Sequence, residues 1–174
     1  MKLRLIPVLA VLLLMQGCGG DEVPTSGTVT VTNELFGDGP YYAMGFSFAA
    51  ADLVSTLTEP YDIIIQAGSL TTGGPIVAFL SANTLEPSFA LKGEYGTESA
   101  AKSAFDALAS VGTASYIELA APLKENQVWV VRTEDERYAK IRIIKIDFEP
   151  TVPPYYASCQ FEWVFQPDGS TQFP

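Results

Sequence analysis

The chain contains no histidine, so the commonest metal ligand and the commonest acid–base group near neutral pH are both missing. Histidine-dependent zinc motifs and triads are excluded with it. The groups left to do chemistry are carboxylates, tyrosines, Met44 and two cysteines, Cys18 and Cys159. Asp62, Asp135 and Asp147 are the acids in or beside the stronger strand patterns, and no fixed spacing joins them to another carboxylate as a metal loop requires. Glycosidase chemistry would need two facing carboxylates, a relation that linear order does not establish. Gly68-Ser69-Leu70 reads as a loop, so serine chemistry lacks both its base and its elbow. The expectation is a protein that binds, not an enzyme.

Cys18 has a different chemistry in prospect. Lys2 and Arg4 precede an apolar run from Leu5 to Met15, which breaks at Gln16-Gly17-Cys18-Gly19-Gly20. Charged, greasy and small-residue regions in that order read as a secretory signal, and the run is too short for a retained span of about 20 apolar residues. Leu14-Met15-Gln16-Gly17-Cys18 resembles a bacterial lipobox, with Met15 and Gln16 as less usual occupants. Residues 1–17 would then be removed and Cys18 acylated. A soluble product cut nearby and an uncleaved anchor are the alternatives. Lipidation of Cys18 would leave Cys159 without an intramolecular partner, although the exported compartment permits disulfides. Cys159 alternates with apolar neighbours and is expected to be a small buried hydrophobe.

Removal of residues 1–17 from 174 leaves 157, enough for one domain with a sizeable core. Residues 18–26 are Gly-rich and acidic and read as a flexible tether; residues 27–174 form the domain. The chain carries 20 acidic and 10 basic residues, and losing Lys2 and Arg4 moves the net charge from −10 to −12. Such a surface repels phosphate backbones and anionic headgroups, so the membrane is met through lipid and nucleic acid is not a partner.

The elements that must position these groups are mostly strands. Thr28 to Thr32 alternates Thr and Val, Gly37-Asp38-Gly39-Pro40 is a turn, and Tyr41 to Phe48 is a β-like run with a bulge or bend expected at Gly45. Tyr61 to Gln66 and Ile76 to Leu80 are further strands. Thr97 to Ala109 differs: Ala100, Ala101, Ala104, Phe105 and Leu108 form an apolar stripe, Thr97 suits the cap, and Glu98 is placed to pair with Lys102. Gln127 to Phe148 reads as an antiparallel hairpin with one packed face and one wet face, on which Lys140 points outward. Cys159 to Phe165 alternates again. The fold expected is mainly β, a twisted two-sheet or sandwich-like antiparallel domain with one short amphipathic helix.

Val131-Arg132-Thr133-Glu134-Asp135-Glu136-Arg137-Tyr138-Ala139-Lys140-Ile141-Arg142-Ile143 resembles the hairpin of the HmuY-like family of haem-binding bacterial lipoproteins. Weaker similarities follow the same order: Tyr41 to Phe48 with Glu59-Pro60-Tyr61-Asp62-Ile63-Ile64, and Phe161 to Phe173 with Gln166-Pro167-Asp168-Gly169-Ser170. The resemblance implies a two-sheet lipoprotein of the outer membrane, facing the periplasm or the cell surface, with haem binding as the family's best-known activity. The histidine pairs of characterised members have no counterpart here, and the mature part has a single methionine, Met44.

Haem ligation by Tyr, Met or Cys would therefore have to replace them. Met44, between Tyr42 and Phe46, is the suggestive group, with Tyr41 and Tyr42 as phenolate candidates; a Met filling a core gap and a packed-plus-exposed tyrosine pair are the plainer accounts. Haem propionates would also need a basic patch. Arg132, Arg137, Lys140 and Arg142 lie close in sequence, but Glu134, Asp135 and Glu136 share their turn. The reading is an outer-membrane-associated binding or interaction module with no assigned ligand; haem binding without histidine is the alternative.

Overall fold

The computed structural model describes residues 23–84 and 86–174. The leader, Cys18 and residues 18–22 of the tether lie outside the described residues. In chain order the elements are β1 (Ser26–Thr32), β2 (Met44–Ser47), β3 (Asp52–Ser55), β4 (Ile63–Ser69), β5 (Ile76–Ala82), β6 (Phe89–Glu94), α1 (Glu98–Ala107), β7 (Leu119–Ala120), β8 (Gln127–Arg132), β9 (Tyr138–Glu149) and β10 (Tyr156–Gln166). They build two antiparallel five-stranded sheets, β1-β10-β9-β8-β6 and β3-β2-β4-β5-β7. The mainly β, two-sheet architecture with one short helix is the one the strand alternation predicts. No described helix is long and apolar enough to cross a membrane.

The inner faces of the two sheets bury a single core. Phe46, Ile63, Ile65 and Leu80 from one sheet meet Val31, Trp129, Ile141, Ile143, Phe161 and Trp163 from the other. Aromatic rings bridge the layers: Phe46 lies 5.3 Å from Trp163 and 5.7 Å from Phe161, and Phe48 stacks on Phe165 at 5.8 Å. Each fully buried ring of this size contributes roughly 1.5–3 kcal/mol through burial alone. Cys159 belongs to this core and is fully buried; loss of solvation pushes its thiol pKa upward, away from thiolate chemistry.

The β8–β9 hairpin departs from the expected single wet face. Val128, Trp129, Val130 and Val131 are all buried, as are Lys140 and Arg142 at 4% and 5% exposure. The outer face of this sheet is covered by α1, by the chain after it, and by the C-terminal tail, where Ala90, Val111, Val130 and Phe173 make a second small core. Continuous apolar sequence in β8 is what a strand buried on both faces requires. In β9, Gln160 faces Lys145 while Phe161 faces Ile143, so Ile144 is an extra residue. That bulge returns Ile146 and Phe148 to the inner face after the Ile143-Ile144 pair interrupts the alternation.

The helix forms where its stripe predicts, with Thr97 Oγ1 accepting from Ala100 N; of the stripe Ala101 and Phe105 are buried, Ala104 and Leu108 half-buried, and Ala100 faces solvent. Its charges pair differently. Lys102 binds Asp106 and approaches Glu162 at 3.4 Å, while Glu98 lies 3.8 Å from Arg142 Nη1. The expected Glu98–Lys102 pair is replaced because the helix packs over the buried Arg142, which draws Glu98, and Glu162 of β10 draws Lys102 to the other side.

Candidate functional site

The four hairpin cations do not assemble into a ligand-binding patch. Lys140 Nζ donates to the carbonyls of Phe105 and Leu108, each at 2.9 Å, and sits 4.9 Å from the Phe105 ring centroid. Arg142 donates from Nε to Glu162 Oε2 at 3.0 Å. Arg132 lies over the Tyr116 ring at 4.9 Å and donates to Pro87 O. Arg137 sits apart, at the turn preceding β9. Their partners are the helix end, a neighbouring strand and an aromatic ring, contacts that no reading of the turn acids Glu134 to Glu136 could supply.

Tyr41, Tyr42 and Met44 do not converge on a common cleft. Only residues 44–47 of the expected Tyr41–Phe48 run form a strand, because Tyr42 bridges back to Phe36 and closes the turn between them. Tyr41 is 66% exposed, Tyr42 packs its ring 6.5 Å from Phe36, and Met44 stands half-buried opposite Ser55. None of five surface clefts, of about 120 to 480 Å³, is lined by any of the three. Among the described residues these three side chains do not come together around one of these clefts, and the chain has no histidine to ligate a haem iron.

Asp62 and Asp135, unrelated in sequence spacing, are brought together. With Glu134, Tyr61 and Ser47 they line a small cleft of about 120 Å³. Asp62 Oδ2 accepts from Phe48 N at 2.7 Å while its own N–H donates to Phe46 O, so this residue stitches the start of β4 to β2. Burial raises its pKa to about 6; the Phe48 bond opposes the rise, and the negative charges of Asp135 and Glu134 add to it. Among the described residues no group of three or more acids or cysteines is arranged to hold a metal ion. Asp147, the third strand acid, is exposed and pairs with Lys145 at 2.9 Å.

The largest of the five clefts lies elsewhere. It is a groove of about 480 Å³ on the outer face of the second sheet, lined by Tyr61, Ile64, Gln66, Ser69, Leu70, Phe79, Ser81, Ala82, Asn83 and Leu119. Strand register explains the set: Ile63, Ile65 and Leu80 face the core, so Ile64 and Gln66 of β4, paired with Ser81 and Phe79 of β5, face outward. Leu119 of β7 extends the row beside Ser81. Gly68 and Ser69 belong to β4, not to a loop, because their pairing with Val77 and Ile76 continues the ladder.

Glycine shapes this face. A Cβ on Gly45 would fall 2.7 Å from both Cβ and Cγ of Tyr61, so the missing side chain makes the space over which Tyr61 lies. The β2–β3 register runs without a shift from Met44–Ser55 to Ser47–Asp52, and Gly45 is therefore a close-approach position instead of a bulge. Sequence reading missed Tyr61, Gln66 and Phe79 as site residues. The signal available was the alternation Ile64-Gln66 and Phe79-Ser81, which sets one face of each strand apart from the core.

No family model, curated protein or solved structure matches this chain. Fold and site define an antiparallel two-sheet β domain with one sheet covered by a helix and the other open along a neutral groove.

Proposed function

We propose that this protein is an exported, lipid-anchored binding module, without catalytic activity, whose ligand-facing surface is the open outer face of the β3-β2-β4-β5-β7 sheet. The carrying observation is the asymmetry between the sheets. One outer face is covered over β8 and β9 by α1 and the C-terminal tail, which leave a smaller cleft of about 370 Å³ lined by the charged Asp106, Lys140 and Glu162, whereas the other holds the larger groove lined by Tyr61, Gln66 and Phe79. A concave site of this size with rings and a few polar groups is the usual form of a ligand pocket. The lipobox-like Leu14 to Cys18 and the tether after it support display of the domain from a bacterial outer membrane. The hairpin resemblance to HmuY-like lipoproteins supports the same setting.

Photocrosslinking in intact producing cells tests this reading. A photoreactive amino acid at Leu70, on the groove rim, is expected to give adducts that the same group at Ser103 on α1 does not. Adducts only from Ser103, or from neither position, would overturn it. Haemin titration of the full chain separates the alternative: haem capture requires a saturable absorption change lost in Met44→Ala or Tyr42→Phe, and the open-face reading expects none.

A further inference from the structure

We infer that the groove on the open sheet face takes a neutral saccharide; this names the ligand class of the site proposed above and rests on that proposal. The lining is unusual for this chain. The chain carries twenty acids and ten bases, yet among the described residues no charged side chain lines the groove itself. A ligand carrying phosphate or carboxylate groups would find no cation in this lining and would meet the Glu134 carboxylate beside Asn83, so a haem would find nothing for its propionates, and an ammonium would find a partner only at that rim.

The neutral groups present suit a polyol. Gln66 is exposed and offers amide donors and an acceptor, Ser81 is largely buried but lines the groove floor with its hydroxyl, and neither side chain has a hydrogen-bond partner among the described residues. Asn83 is held at 3.4 Å from Glu134 Oε2 and leaves its amide oxygen free of protein donors among the described residues. Adjacent hydroxyls of a sugar ring can each give and take a hydrogen bond with such amides. The C–H faces of the same ring are apolar and stack on aromatic side chains, which Tyr61 and Phe79 supply.

Glycine sets one of these rings, and the other rests beside a glycine at ordinary contact distance. Tyr61 lies over Gly45, and the Phe79 ring edge is 3.8 Å from where a Cβ on Gly68 would stand. Tyr61 is thus seated on the Gly45 backbone at the sheet surface, with Phe79 on the neighbouring strand of the same face. A lipid chain would need an enclosed apolar cavity, and a peptide added as a strand would use the edges β3 and β7, not the face.

Native electrophoresis of the full-length protein through gels containing barley β-glucan, glycogen, galactomannan or xylan tests the inference, with polygalacturonate as the acidic control. Retardation is expected in at least one neutral gel and not in polygalacturonate. Tyr61→Ala and Phe79→Ala should each weaken it about tenfold, the scale of one lost aromatic contact. Gln66→Ala, at an exposed position that folding does not need, should weaken it about fivefold. Retardation in none of the four neutral gels overturns the saccharide; adducts from Leu70 under photocrosslinking would then leave the open-face reading standing with another ligand. Retardation unchanged in all three variants would remove the groove as its site.

Discussion

Lys140 Nζ, on the middle strand of a sheet, lies 2.9 Å from the carbonyl oxygen of Phe105 near the end of α1. The helix has no basic residue in its last turn, so a cation from another element adds a second donor to the Phe105 carbonyl, which also accepts from Leu108 N–H, reaches the Leu108 carbonyl and opposes the helix's negative end. Burial lowers the Lys140 pKa, while the nearby Asp106 charge works the other way. One side chain thereby docks the helix on the sheet and helps cover that sheet's outer face.

Lys140→Met should therefore cost about 1–3 kcal/mol, since the Phe105 and Leu108 carbonyls lose a charged donor in a buried place. Urea denaturation followed by circular dichroism measures it. A midpoint unchanged from the parent would show that water replaces the ammonium without loss.

Arg142 and Glu162 form a second buried relationship, 3.0 Å between Nη2 and Oε2. Arg142 Nη1 is buried without a hydrogen-bond partner, so the pair is incompletely satisfied. Glu162→Gln leaves the buried Arg142 charge under the helix and should destabilise by about 2–4 kcal/mol, whereas Arg142→Met leaves a partly exposed Glu162 that Lys102 still approaches and should cost less. The double variant should recover part of that loss. A double-mutant cycle giving purely additive costs would contradict the coupling.

Asp62 makes stability depend on pH in an unusual direction. The unfolded carboxyl titrates near 3.8 and the folded one near 6, so between those values the folded protein holds a proton that the unfolded chain has lost. The group's contribution to stability falls as pH rises through that window. Asp62→Asn keeps an acceptor for Phe48 N and cannot ionise. At pH 7 it should be more stable than the parent by up to about 3 kcal/mol, with the difference shrinking toward pH 4. Thermal melts across that range check it; an advantage that grows on acidification would refute the assignment.

Gly45→Ala should displace Tyr61, because the new methyl would stand 2.7 Å from its Cβ and Cγ. Overpacking of this kind costs about 1–3 kcal/mol. The same substitution should abolish adduct formation from Leu70, whereas Gly112→Ala, at an open position with positive φ far from the groove, should lower stability and leave the adducts intact.

Much of the fold was legible in residue order. Alternation in Thr28 to Thr32 and Cys159 to Phe165 marked β1 and β10, and the Ala100-Ala101-Ala104-Phe105 stripe behind Thr97 marked α1, because local periodicity and capping are properties of neighbouring residues. The absence of histidine likewise bounded the chemistry before any folding was considered. Burial of Lys140 and Arg142 was not legible: their alternation with isoleucines is equally that of a solvated face, and only the docking of α1 shows which environment they meet. Tyr61 gave no sign of its place either, since the glycine beneath it comes from a different strand. Sequence by itself determined which faces alternate and which ligands histidine cannot supply, both being local or compositional. Tertiary structure alone decided which outer face the helix and tail cover and which carries the larger groove, because that choice depends on packing between residues distant in the chain.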